Sequence, residues 1–353
     1  MKNLITIAAF IVIGLMTSLY IGFGYEENQN IAAEDEEVKG LNEKVTLKFS
    51  YVTAENTPKG KAARYFAQAV KEKTNGWVEV EVYPNGMLYE AQEEFEALLN
   101  NQVHFIAPAF SEIAVHDNKW MVMDLPFAFK DEKMVKEAFQ GKIGDLLFES
   151  IENSHYKGLA FWDNGFKHIT NNSHPITDPK DLKGLTMRVM PSKVLSETYH
   201  TVDADPKTYP FNRVYSLLSD GKIDGTENTL SNIYSKGFYE QQRYMTMSRH
   251  NYLGYAVLTN KSMWNTLPVE HQQAIEDAME ETTEWMRTHA KGINNEMLER
   301  MQTQNVMEIH ELTAEEKEKW RKTLKPVYKQ YEDNIGQELL EELRKLQKKY
   351  GMS

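Results

Sequence analysis

Cysteine is absent from the 353 residues. No disulfide framework, zinc–thiolate centre or thiol nucleophile can therefore exist. Basic excess is also missing. The formal net charge is −12, which makes nucleic acid and anionic membrane surfaces poor partners. A local basic pocket can still work inside an acidic protein, because a small ligand feels only the nearby field. No G-x-G-x-x-G follows a strand and no G-x-x-x-x-G-K-[ST] occurs, so no nucleotide cofactor is expected. H-E-x-x-H and G-x-S-x-G are missing as well. The ten histidines lack metal-ligand spacing, and the stretch DGKIDGTEN places Lys222 where a calcium loop needs an oxygen ligand. One more scarcity is local: between Arg64 and Arg188 the chain uses no arginine, although lysine is plentiful there.

What is present is enough for a sizeable core, with 41% hydrophobic and 11% aromatic residues. The length favours two domains. The chain opens MKNLITIAAFIVIGLMTSLYIGFGYEENQN, where Lys2 precedes a charge-free run over residues 3–25. Roughly 20 apolar residues span a bilayer. Residues 1–25 read as an export signal or an N-terminal anchor. The anchor is preferred, because no A-x-A site directly follows the run and only Ala32-Ala33 offers a cleavage point. The positive-inside rule leaves Lys2 in the cytoplasm and the remainder outside. Residues 26–44 form an acidic, solvated tether.

From Val45 onward strands and helices alternate. VTLKFSYV has a period of two. TPKGKAARYFAQAVKEKTNG offers Thr57 as N-cap, Pro58 at the first helical position and Gly76 as a stop. WVEVEVYPNG reads as a strand ending in a turn, EEFEALLNNQ as a helix, VHFIAPAF as a buried strand and YKGLAFW as another. FNRVYSLLSDG is helical. The segment beginning PVEHQQAIEDAMEE predicts one helix of about 50 Å at ~1.5 Å per residue, long enough to lie across two domains. The pattern is that of an α/β protein with mostly parallel strands.

Candidate functional residues each allow two readings. Arg188 lies in LKGLTMRVMPS, an apolar strand, and a buried guanidinium needs a partner. That partner is a protein carboxylate or a ligand carboxylate. Lys59 opens a helix and is either a solvated lysine or a site cation. Asn228 in IDGTEN is a turn asparagine or a ligand donor. Lys167 in DNGFKHITN belongs to a crevice or to the surface.

The phrases AENTPKG, FWDNGFKHITN, DLKGLTMRVMPSKV, IDGTENTLSNIYSKGFYEQQRYMTMSRH and YLGYAVLTNKSMW, in this order, carry a family pattern. The chain resembles the extracytoplasmic substrate-binding proteins of tripartite ATP-independent periplasmic (TRAP) transporters, the DctP family, and within it the C4-dicarboxylate-binding branch. The resemblance implies a two-domain periplasmic-binding-protein-like fold with a hinge and a long helix spanning both domains. Domain I would be residues 45–164 plus 254–293, and domain II residues 165–253 plus 294–353. It implies that Arg188 grips a ligand carboxylate, that Asn228 hydrogen-bonds the same carboxylate, and that Lys167 is a second basic anchor. Lys59 would meet the far end of the ligand, Phe211 would pack on it, and Ser111 would line the crevice. Two cations a four-carbon chain apart would select succinate, malate or fumarate. No catalytic residue is expected, so the chain would not be an enzyme. Its expected partners are a small organic acid and TRAP membrane permease subunits, or alternatively a dicarboxylate sensor kinase. Its expected location is extracytoplasmic, tied to the membrane by the N-terminal segment.

Overall fold

The computed structural model describes residues 44–152 and 154–352. The expected anchor and tether lie outside the described residues, apart from Lys44. Among the described residues no helix is long and apolar enough to cross a membrane.

The strands in chain order are β1 (Val45–Ser50), β2 (Val78–Tyr83), β3 (Phe105–Ile106), β4 (Tyr156–Phe166), β5 (His168–Asn171), β6 (Thr186–Val189), β7 (Asp205–Thr208), β8 (Gly225–Asn228), β9 (Tyr244–Met247), β10 (Tyr252–Asn260) and β11 (Glu308–Glu311). They form two sheets, ordered β2-β1-β3-β10-β4 and β11-β9-β5-β8-β6-β7. The expectation of mostly parallel strands holds: four of five strands in the first sheet and five of six in the second run the same way, and β10 and β5 are the reversed ones. β1 runs parallel to β2 and β3, whereas β10 is antiparallel to both β3 and β4. In the second sheet β6 is parallel to β7 and β8, and β5 is antiparallel to β8 and β9.

The chain passes between the sheets twice at one place. β4 ends at Phe166 and β5 starts at His168; β9 ends at Met247 and β10 starts at Tyr252. The Lys167 N–H donates to the Asn251 carbonyl at 2.8 Å, which ties the two crossings together.

Local chemistry explains the elements that matter for function. The helix Pro58–Lys73 begins as its sequence predicts, with the Thr57 hydroxyl accepting the Gly60 N–H at 3.2 Å. Gly60 cannot carry a side chain, since a Cβ there would sit 2.5 Å from the Ala54 carbonyl oxygen. This close approach buries the first turn of the helix, and Lys59 with it. The segment VHFIAPAF is not one buried strand. β3 covers only Phe105–Ile106, and Phe110–Ile113 is a helical turn. Pro108 has no N–H to give a ladder, so the strand cannot run on. After β3, Ala109 makes an isolated antiparallel bridge to Tyr255.

The long helix runs from Val269 to Thr303. Ile275, Ala278, Met279 and Met286 join the core cluster of Phe49, Phe66 and Trp162 beside the first sheet. Met301 joins a separate cluster with Ile233, Phe238 and Met245 beside the second. One helix thus serves both sheets. The C-terminal helices also divide: Trp320 and Leu324 pack with Met187 and Val189, while Leu339, Leu340 and Leu343 pack with Trp120 and Phe161. Residues 337–349 accordingly pack beside the first sheet, although the expected division grouped all of 294–353 with the second.

Candidate functional site

A pocket with about 430 Å³ of atom-free space is lined from both sheets. Lys59, Glu94, Glu112, Leu253 and Tyr255 come from the side of the first sheet; Arg188, Met190, Phe211, Asn228 and Asn232 come from the side of the second. Four of the residues singled out in the sequence, Lys59, Arg188, Phe211 and Asn228, therefore meet around one pocket, Lys59 facing the other three.

Arg188 sits on β6 between Lys207 of β7 and Thr226 of β8. It is 1% exposed. Nε and Nη2 both donate to the Tyr209 carbonyl, at 3.0 and 2.8 Å. Nη1 is buried and has no hydrogen-bond partner. Burial pushes the guanidinium down to about 10, against the pull of Glu112 and Glu227. The carbonyl thus clamps one edge of the fork and leaves the other edge incomplete. The Phe211 ring faces the guanidinium, its centroid 6.0 Å from the guanidinium carbon.

Lys59 is equally buried. Its Nζ donates to the Ala107 carbonyl at 2.9 Å and lies 3.9 Å from the Tyr255 ring centroid. Burial pushes it down to about 8, with Glu94 and Glu112 acting in the opposite sense. The Asn228 Oδ1 accepts the Asn232 amide at 2.8 Å and the Thr229 N–H at 3.0 Å. With the oxygen so held, the amide nitrogen of Asn228 is the group left to donate elsewhere. Asn232 has its own buried Oδ1 without a partner.

Two other sequence candidates are not brought to this pocket. The Lys167 Nζ contacts Glu227 Oε1 at 2.8 Å, with both side chains essentially inaccessible. The same Glu227 receives His250 Nε2 at 2.7 Å and the Tyr199 hydroxyl at 3.4 Å. The reason is spatial: Lys167 occupies the crossing between sheets, where β8 presents a carboxylate to it. The Ser111 hydroxyl donates to Asp124 at 2.6 Å and does not line the pocket either.

The sequence reading missed Glu94 and Glu112. Glu94 is 1% exposed, accepts the Ser50 hydroxyl at 2.7 Å, and is pushed up to about 7 by burial. Glu112 is 5% exposed, accepts a hydrogen bond from Gln92, and is likewise raised by burial. In a chain with 52 acidic residues neither carries a distinguishing pattern. Among the described residues no group of three or more histidine or acidic side chains is arranged to hold a metal.

Two sheets joined by paired crossings, with an incompletely satisfied guanidinium in the pocket lined by both, define a small-solute binding protein. Comparison with known proteins agrees. Residues 49–334 match the family described as bacterial extracellular solute-binding protein, family 7, DctP, and the chain belongs to that family. It is 45% identical over 348 residues to a C4-dicarboxylate-binding protein, DctB, of Bacillus subtilis (strain 168), covering 99% of each chain. It is 42% identical to the C4-dicarboxylate-binding periplasmic protein DctP of Rhodobacter capsulatus, over 86% of this chain and 91% of that one. A TRAP periplasmic solute-binding protein from Shewanella oneidensis, solved with bound succinate, superposes with a TM-score of 0.84 at 37% identity, covering 86% of this chain and 99% of the other.

Proposed function

We propose that this pocket captures a C4-dicarboxylate outside the cytoplasmic membrane and hands it to TRAP permease subunits. The observation that carries the reading is the half-satisfied Arg188: its buried Nη1 lacks a partner in a pocket also lined by Lys59 and Asn228. A carboxylate placed there completes the fork with charge-assisted hydrogen bonds, and the Asn228 amide nitrogen adds a donor. Lys59, on the facing side, supplies the cation for the second carboxylate. A monocarboxylate would forgo the contact between its second carboxylate and Lys59, which costs affinity. The names of the Bacillus and Rhodobacter relatives and the succinate in the Shewanella structure point to the same ligand class. Lys167 supports a different role, as the internal partner of Glu227.

The paired crossings near Lys167 and at residues 248–251 are where we place the hinge between the two halves. Membrane attachment through residues 3–25 belongs to the same proposal.

The test is a thermal-shift and calorimetric screen of organic acids against the purified protein. A true ligand at 100 times its Kd should stabilise by about 2.7 kcal/mol. Succinate, malate or fumarate should give that response and butyrate should not. Equal responses to succinate and butyrate would end the two-anchor account.

A further inference from the structure

The pocket's own charges do not favour a dianion. Lys59 and Arg188 bring two positive charges, and Glu94 and Glu112 bring two carboxylates, to the same pocket, all four side chains buried. With both carboxylates ionised the pocket is neutral. A dicarboxylate would then add two negative charges to a site shielded from water, beside two others. Like charges in one buried site do not all remain ionised, and the least costly relief is a proton. We propose that the dicarboxylate enters together with one proton from solvent, which the Glu94–Glu112 pair takes up, so that the liganded pocket holds two cations, the dianion and a single carboxylate. The inference rests on the dicarboxylate reading above and specifies the ionisation state in which that ligand is held.

The surroundings of the pair leave few other recipients. Glu94 faces Ser50 of β1, Lys59 at the start of its helix, and Glu112. Glu112 faces Gln92, Arg188 of β6, Lys59 and Asp124. Asp124 accepts from Ser111; burial raises it as well, against the pull of Lys167, so it competes with the pair for the proton. Glu227 is already engaged by Lys167, His250 and Tyr199; burial would raise it, but Lys167 and His250 outweigh that and pull it down to about 2. The phenols of Tyr51 and Tyr255 flank Lys59 and are raised by burial, so they stay neutral. Burial raises both glutamates from the ordinary carboxylate range, and it brings Glu94 to about 7, so a proton near neutrality has a recipient within the pair. Lys59 is the competing recipient, because burial lowers it and a dianion would restore its charge.

Calorimetry of succinate binding in phosphate and in Tris at equal pH counts protons from the difference in heat. At pH 8 the wild type should take up about one proton per succinate, and its affinity should fall about tenfold per pH unit as the pair ionises. Glu94→Gln or Glu112→Gln should reduce the uptake. The double variant should abolish it and bind more tightly than wild type at pH 8. Succinate binding without proton uptake anywhere between pH 6 and 9 overturns the inference and leaves the dicarboxylate reading intact. Uptake that persists undiminished in the double variant assigns the proton to Lys59 and also overturns it. Absence of succinate binding at every pH would remove the dicarboxylate reading itself. The wild-type measurement decides the first point even if a variant fails to fold.

Discussion

The buried charge cluster around Glu227 and the one around Arg188 are built differently. Around Glu227 every strong charge has a close partner: Lys167 at 2.8 Å on one carboxylate oxygen, His250 at 2.7 Å on the other. Around Arg188 the accounts stay open. Its fork rests on a backbone carbonyl, its Nη1 is unpaired, and the nearby carboxylates belong to a pocket wall instead of an ion pair. Both clusters incur the desolvation cost of buried charge. The first recovers it inside the protein, so it holds the sheet crossing. The second recovers it only in part, and the deficit is what a ligand can fill. Burial of a charged residue therefore says little about function until its partners are counted.

The largest effect expected from this contrast is on folding. Lys167→Met removes one partner of a fully buried carboxylate, and breaking such a pair costs about 3–5 kcal/mol. Denaturant unfolding should show that loss, with the ratio of succinate to butyrate affinity unchanged. A normal midpoint with altered selectivity would move Lys167 into the ligand site and erase the distinction between the clusters. Arg188→Lys should do the reverse. It keeps the charge and loses the planar fork, so succinate affinity should fall by about 1.5–3 kcal/mol, one to two orders of magnitude. Near-normal affinity with the fold intact would remove Arg188 as the anchor.

The clusters should also answer pH in opposite senses. Glu227 is held at about 2, below its ordinary 4.5. Its contribution to stability is present above 4.5 and is lost as pH falls through about 2. Glu94 is raised from 4.5 to about 7. Its contribution is full below 4.5 and is lost as pH rises through about 7. Each slope is bounded by about 1.4 kcal/mol per pH unit. Melting of the ligand-free protein followed from pH 5 to 8 should show a decline that Glu94→Gln flattens. A decline identical in that variant would mean that Glu94 does not titrate there.

How much of this was legible beforehand depends on the range of the signal. The helix Pro58–Lys73 was readable because its cap, its proline and its stop lie within a few residues of one another. The 35-residue helix Val269–Thr303 was readable from its uninterrupted pattern. Arg188 stood out because arginine is missing for so long before it, although only the family resemblance suggested that its partner is a ligand. Lys59, Asn228 and Phe211 followed the same resemblance to the pocket wall. Lys167 could not be placed from its neighbours, since Glu227 lies 60 residues away and meets it only through strand pairing. Glu94 and Glu112 resemble many solvated acids in a chain this acidic. The single reversed strand in each sheet was hidden too, because an apolar run is the same read in either direction.

The smallest expected effect lies at the rim, where two contacts join the sides of the pocket. The Asn212 amide donates to Glu90 at 2.9 Å, and Lys236 Nζ donates to Asn85 Oδ1 at 3.2 Å. These side chains are far more exposed than Arg188, so water competes for them and each is worth about 0.5–1.5 kcal/mol. They bear on how long the pocket stays shut more than on which solute it recognises. Glu90→Ala should accordingly raise the succinate dissociation rate a few-fold, and stopped-flow fluorescence can read that change. The preference for succinate over butyrate should stay as it was, because neither rim contact touches the Arg188 fork or Lys59. A release rate equal to wild type would make the rim pair incidental. A change in preference would show that selection extends beyond the buried wall, and the contrast between an anchoring interior and a latching rim would have to be redrawn.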